Sequence, residues 1–253
     1  MNLQNFYNSA VNKDAAPNQL DALHGIPNKI SITANQGSRF AKEIAQDFNP
    51  LHNSDSKRFC VPGDLLFSLV LMRFGISQSM EFDYQGMVPD GAVLTFSEQA
   101  NKFSVIDDAG KAFLCGQKSG QSLQNEKVIA GFCEAYVAFS GMSFPHILVP
   151  LMKQHGVMIN PARPMVIYEK MAFEFERPII NLTQIPELVL EDALLTVEGK
   201  RGKVKIPFSI QLNERKIGQG FKTMTLSGLK PYDEDAVEKL IADYEASKQH
   251  YRT

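Results

Sequence analysis

In the stretch Gln46-Asp47-Phe48-Asn49-Pro50-Leu51-His52, a carboxylate, an amide and an imidazole fall close together. Asp47 and His52 make a pair able to exchange protons with a water near neutral pH, once burial and pairing tune both groups. Read without chemistry, the same residues form an Asx turn and a histidine hydrogen-bonded to it. Pro50 and then Pro62 keep regular helix out of the segment between them. At Pro62-Gly63 a long apolar run begins, and a helix opening there presents aligned N–H donors to an oxygen gaining negative charge. Gly63, a glycine after proline, starts such a helix tightly. Asp64, next in line, opposes such charge unless it turns to solvent.

Other reactive side chains carry weaker signals. Cys60 has no histidine that the sequence sets against it, and reads as a buried thiol. His146 and His155 lack a metal-ligand neighbour at the usual spacing, so no metal site is expected. Glu81 and Asp83 share a strand face by period two, as a carboxylate pair or as an exposed polar face. Lys200, Arg201 and Lys203, with Lys205, cluster at a hairpin and suit phosphate contacts or a solvated turn equally.

These residues need elements to hold them. Residues 39–48 predict a helical turn or two, with Phe40, Ile44 and Phe48 on one face. Residues 62–74 are apolar on nearly every side, interrupted mainly by Ser68 and Arg73, and close at Gly75. A helix of that kind is buried all round, so something must wrap it. The runs MEFDYQG, AVLTFSEQ, KFSVID and KAFLCGQK, punctuated by Pro89-Asp90-Gly91 and Asp107-Asp108-Ala109-Gly110, supply an antiparallel meander. The plan then repeats: a helix over 144–155 ending in Gly156, followed by strands through VIYEKMAFEF, LLTVEG, KVKIPFSIQL and IGQGFKTMTLSG. Residues 233–249 form an amphipathic helix on the stripe Val237, Leu240, Ile241 and Tyr244, with Asp233 or Asp235 as cap.

At 253 residues and 44% apolar, the chain can bury a substantial core. Its 26 basic and 28 acidic residues nearly balance, which argues against a broad nucleic-acid surface. Three cysteines, Cys60, Cys115 and Cys133, without C-x-x-C spacing, suggest neither a disulfide framework nor a zinc knuckle. With no secretory h-region and no run of apolar residues long enough to span a bilayer, a soluble cytoplasmic protein is expected.

A buried helix gripped by a curved antiparallel sheet, present twice, resembles a double hot-dog, an α+β arrangement. Asp47-Phe48-Asn49-Pro50-Leu51-His52 is similar to the D-x-N-P-[LIV]-H signature of MaoC-like, R-specific enoyl-CoA hydratases. The motif resemblance covers residues 39–75, and the element order agrees over about 29–227. It implies an N-terminal extension (1–28), a first repeat carrying the motif (29–125), a second, degenerate repeat (126–230) and a C-terminal helix (231–253). It further implies hydration or dehydration of a 2-enoyl or 3-hydroxyacyl thioester, on CoA or an acyl carrier protein. Asp47 and His52 would hold the water, Asn49 would fix the loop, and Gly63 would bind the thioester carbonyl. Leu65, Leu66 and Leu69 would line the acyl channel. No metal or redox cofactor is implied, and the protein would be a monomer or a homodimer. Gln46 stands where the family usually has glycine, Arg58 where it has alanine, and Pro62-Gly63-Asp64 replaces its usual helix start. The second repeat has Met142 and Phe144 where acid and amide would stand, and is expected to shape or close the acyl pocket. A thioesterase of the same fold and a non-catalytic acyl-thioester sensor or scaffold are the alternatives.

Overall fold

The computed structural model describes Phe6 and residues 28–252; apart from Phe6 and Asn28, the extension over 1–28 lies outside the described residues. The first half runs β1 (Lys29–Ser31), α1 (Ala34–Arg39) with a π-helical turn (Phe40–Ile44), a short 3-10 turn (Pro50–His52), and α2 (Gly63–Phe74). Strands β2 (Ile76–Tyr84), β3 (Val93–Gln99), β4 (Lys102–Asp107) and β5 (Ala112–Leu123) follow. The second half opens with α3 (Glu126–Gly141), two short helices, α4 (Ser143–His146) and α5 (Leu148–Gln154), and β6 (Val157–Met158). It continues through β7 (Val166–Phe175), β8 (Glu187–Leu190), β9 (Leu194–Glu198), β10 (Arg201–Leu212), β11 (Arg215–Ser227) and β12 (Lys230–Pro231), and ends in α6 (Glu234–Arg252).

One antiparallel sheet carries both halves, in the order β1-β3-β4-β5-β2-β7-β11-β10-β8, with β9 also paired to β10. Reading outward from the β2–β7 seam, β5, β4 and β3 on one side match β11, β10 and the β8/β9 pair on the other. This is the double hot-dog, an α+β fold. Every residue of α2 from Asp64 to Phe74 is buried, as an all-round apolar helix requires. Gly75 ends it at φ 77°, a left-handed conformation that costs glycine nothing.

The second long helix differs from the expectation. It is α3, over 126–141, whereas residues 144–155 hold only two short helices joined end to end. Its signal was present: Val128, Phe132 and Tyr136, with Ile129, Cys133 and Val137, recur at helical spacing and are all buried. Asn125 caps it, its side chain accepting the Val128 N–H at 3.2 Å. Phe67 of α2 meets Tyr136 of α3 with ring centroids 4.3 Å apart, so the two long helices pack on each other as well as on the sheet. The C-terminal helix forms as expected, with Asp233 accepting the Ala236 N–H at 3.0 Å. Among the described residues no single helix is long and apolar enough to cross a membrane; the bent pair 126–141 and 143–154 passes that test by length and composition only.

Gly141 shows how closely the halves fit. A Cβ on it would lie 1.6 Å from the Ala45 carbonyl oxygen, two residues before Asp47. That contact is backbone, so no rotamer change relieves it. Gly141→Ala should cost about 1–3 kcal/mol in urea denaturation, and should shift the amide resonances of residues 45–52 in the folded protein.

Candidate functional site

The motif segment leaves the π-helical turn through Gln46, whose φ of 53° lies in the left-handed region. The position therefore keeps the conformation glycine favours while carrying a side chain. Its amide donates to the Lys42 carbonyl at 2.7 Å, and its own carbonyl accepts the Tyr244 hydroxyl of α6 at 3.2 Å. Asp47 Oδ1 accepts the Asn49 N–H at 2.9 Å, and Asn49 Oδ1 accepts the Leu51 N–H at 3.1 Å. Two successive Asx contacts thus set the loop.

His52 is held from the other side. Its Nδ1 lies 2.7 Å from the Cys60 carbonyl, which can only accept, so Nδ1 carries the proton. Nε2 then faces Asp47 Oδ2 across 3.7 Å. That is too long for a direct hydrogen bond and too short for a water directly between the atoms, but a water to one side can reach both acceptors. Both side chains are mostly buried, at 13% and 20% exposure.

They open on a cavity of about 560 Å³, lined also by Asn49, Gly63, Asp64 and Leu66 from the first half. Ser140, Tyr168 and Met224 line it from the second half, and Leu240 and Tyr244 from α6. A volume in this range suits a small-molecule site. No side chain caps the start of α2, and Gly63 sits there as expected. Leu65 and Leu69 do not line the cavity. The helix turns them into the core, where they are 1% and 0% exposed; of the three leucines only Leu66 faces the space.

Asp64 does not turn to solvent: it is 3% exposed. Tyr168 donates to its Oδ2 at 3.4 Å, while its Oδ1 has no partner. Burial pushes its carboxyl above the usual range, against the pull of the nearby Lys222 charge. Lys222 is itself 1% exposed and donates to Ser140 Oγ at 2.7 Å. Its ammonium sits 4.9 Å from the Tyr168 ring centroid, and burial brings its pKa down to about 8. Ser140 Oγ and the Tyr168 hydroxyl are 2.8 Å apart. Ser140, Tyr168 and Lys222 were not singled out from the sequence. Lys222 had a signal: it shares a strand face with Met224 and Leu226, and a lysine in an inward-facing alternation is a buried charge.

The remaining candidates lie elsewhere or are quiet. Lys200, Arg201 and Lys203 are exposed on the β9–β10 hairpin and none lines the cavity; Lys203 pairs with Glu169 at 3.6 Å. Glu81 and Asp83 both pair with Lys170. Cys60 lines the cavity, but burial pushes its thiol up to about 11, which keeps it protonated and unreactive. His146 ends α4 and His155 caps α5.

Residues 23–235 match the family described as a protein of unknown function, DUF3581, and the chain belongs to that family. No curated protein matches it. Among solved structures, full-length peroxisomal multifunctional enzyme type 2 from Drosophila melanogaster is 9% identical with a TM-score of 0.42. The match covers 78% of this chain and 47% of that one, so the chain spans about half the length of that enzyme. A conserved hot-dog protein of unknown function from Alicyclobacillus acidocaldarius is 9% identical, TM-score 0.44, over 81% of this chain and 93% of that one. A MaoC-like dehydratase is 11% identical, TM-score 0.39, over 79% and 97%. Thioesterases stand among the similar structures at comparably low identity. Identities this low concern fold alone.

The Lys222 environment has a consequence for stability. Unfolded, the residue keeps its proton up to the ordinary 10.5; folded, it releases it near 8. Between those values the unfolded chain binds more protons, so the contribution of this residue to stability rises with pH. Compared with Lys222→Met, the unmodified protein should gain stability between pH 8 and 10.5. The gain should reach up to about 3 kcal/mol in urea denaturation followed across that range.

Proposed function

We propose that this protein hydrates 2-enoyl thioesters and, in reverse, dehydrates 3-hydroxyacyl thioesters, with CoA or an acyl carrier protein as carrier. The observation that carries the reading is the Asp47–His52 gap of 3.7 Å at the cavity wall. With Nδ1 committed to the Cys60 carbonyl, Nε2 is the His52 nitrogen left to accept a proton. Asp47 offers a second acceptor. One water can donate a hydrogen to each, which turns its oxygen lone pair outward as the nucleophile. The D-x-N-P-[LIV]-H resemblance supports the same assignment.

In hydration the water oxygen bonds to the β-carbon and the π electrons move toward the α-carbon and the thioester oxygen. The proton released by the water passes to the Asp47–His52 pair, and the pair returns a proton to the α-carbon to complete the addition. Dehydration runs the same steps backward. The cavity supplies a mostly apolar space for the acyl portion, with Leu66 and Met224 among its walls.

The test is incubation with crotonyl-CoA, octenoyl-CoA and saturated octanoyl-CoA, following enoyl absorbance and free thiol together. Enoyl absorbance should fall without thiol release, and Asp47→Asn and His52→Ala should each lower that rate by about 10²–10⁴-fold. Thiol release that Asp47→Asn abolishes would replace the hydratase with a thioesterase. Binding of all three thioesters with no turnover would replace it with a sensor.

A further inference from the structure

We propose that Asp64, Ser140, Tyr168 and Lys222 form the receptor for the carbonyl oxygen of the acyl thioester, with Tyr168 and the acid form of Asp64 as its donors. The proposal rests on the thioester reading above and names the half of the site that meets the developing negative charge.

The hydrogen bonds in this cluster run in one direction. The Lys222 ammonium can only donate, and it donates to Ser140 Oγ at 2.7 Å. The Ser140 hydroxyl hydrogen is then available to the Tyr168 oxygen, 2.8 Å away. The Tyr168 hydrogen points on to Asp64 Oδ2 at 3.4 Å. That last link is the longest, and the one a ligand oxygen would most easily replace. The chain ends at a carboxyl whose Oδ1 is buried without a partner. An unpaired buried polar group is costly, and a ligand oxygen meeting this carboxyl would remove that cost.

Three of the four residues line the cavity; Lys222 stands behind them. Among the described residues no carboxylate lies within ion-pair distance of its ammonium. Its neighbours are Ser140 Oγ and the rings of Tyr168 and Phe139, at 4.9 and 5.8 Å from the centroids. Attraction from Asp64 and Asp47 partly offsets the burial of this charge, and burying it remains expensive. It becomes useful when an anion forms nearby, which is what happens to a thioester oxygen during addition at the β-carbon. Ionised Asp64 would repel that anion. In the acid form Asp64, one of the residues lining the cavity, carries a hydrogen that it can donate. A tyrosine paired with a neutral aspartic acid in an apolar site is an established way of binding an oxyanion. Burial favours this form of Asp64. The receptor makes and breaks no covalent bond: two hydrogen bonds shorten as charge reaches the oxygen and lengthen as it leaves.

Asp47, His52 and Asp64 line the same cavity. The two constellations divide the work. The motif from the first half handles the water, and the cluster spanning both halves holds the oxygen.

The experiment is infrared difference spectroscopy of octanoyl-CoA, labelled with 13C at the carbonyl and bound to Asp47→Asn protein. The ligand is saturated and cannot be hydrated, so the readout is independent of the reaction proposed above. Its carbonyl stretch should move to lower frequency on binding. Adding Asp64→Ala should abolish most of the shift, Tyr168→Phe and Lys222→Met should each reduce it, and Asp64→Asn, whose amide can donate, should preserve it. If Asp64→Ala does not fold, Tyr168→Phe, which keeps the ring, decides alone. In the enoyl assay Asp64→Ala should lower kcat about 10²–10³-fold, with Asp64→Asn recovering much of the loss. Binding without a carbonyl shift, or a shift that neither Asp64→Ala nor Tyr168→Phe alters, overturns the proposal. A failure to bind overturns it together with the thioester reading. A normal, Asp64-dependent shift in a protein that hydrates nothing would sink the hydratase and leave the receptor standing.

Discussion

The antiparallel pairing of β2 with β7, from Ser79 opposite Glu174 to Asp83 opposite Lys170, is the contact on which the rest of the molecule depends. It joins two half-sheets into one and so forces the two long helices against each other on the same core. The ion pairs that Lys170 makes with Glu81 and Asp83 decorate this seam but are partly exposed and contribute little. The weight is carried by the backbone ladder and by the apolar residues on its buried side. Met80 faces Phe173 across the seam and Phe82 faces Met171, and all four are buried to 2% exposure or less. Only with this seam in place do Ser140 from one helix and Tyr168 from β7 arrive beside Asp64 from the other helix.

Much of this was legible in the chain, and what was missed has physical reasons. The all-round apolar composition of residues 62–74 announced a wrapped helix because no partly exposed position could carry it. The Asx contacts around Asp47 and Asn49 are local, so their spacing was enough. The helix over 126–141 was overlooked in favour of 144–155, where an apolar run around Pro150 looked more continuous but cannot extend far past a proline. Leu65 and Leu69 were given to the cavity because they follow Gly63, whereas a helix sends only one side of its first turns toward any one space. The polar cluster was beyond local reading altogether. Asp64, Ser140, Tyr168 and Lys222 come from four elements, and no spacing rule links positions separated by such lengths of chain.

The second half lacks the acid and amide of the motif, and Phe144 instead packs edge-on against Tyr244 at 5.2 Å. Its Ser140, Tyr168 and Met224 line the cavity together with Asp64 and Leu66 of the first half. Asp64 looked damaging when only its neighbour Gly63 was considered. With a tyrosine hydroxyl and a buried ammonium at hand, the same residue becomes intelligible, since its charge depends on groups contributed by the other half.

The Tyr244 hydroxyl donates to the Gln46 carbonyl and accepts the Phe48 N–H at 3.4 Å, bracketing Asp47 from almost the whole length of the chain away. The Asp47 loop therefore receives its last brace from a residue synthesised long after it. A growing chain on the ribosome can fold the first helix and meander early, because their contacts are local in order. It cannot finish the loop until α6 has emerged and docked, which places completion of the site among the final events in the making of each molecule.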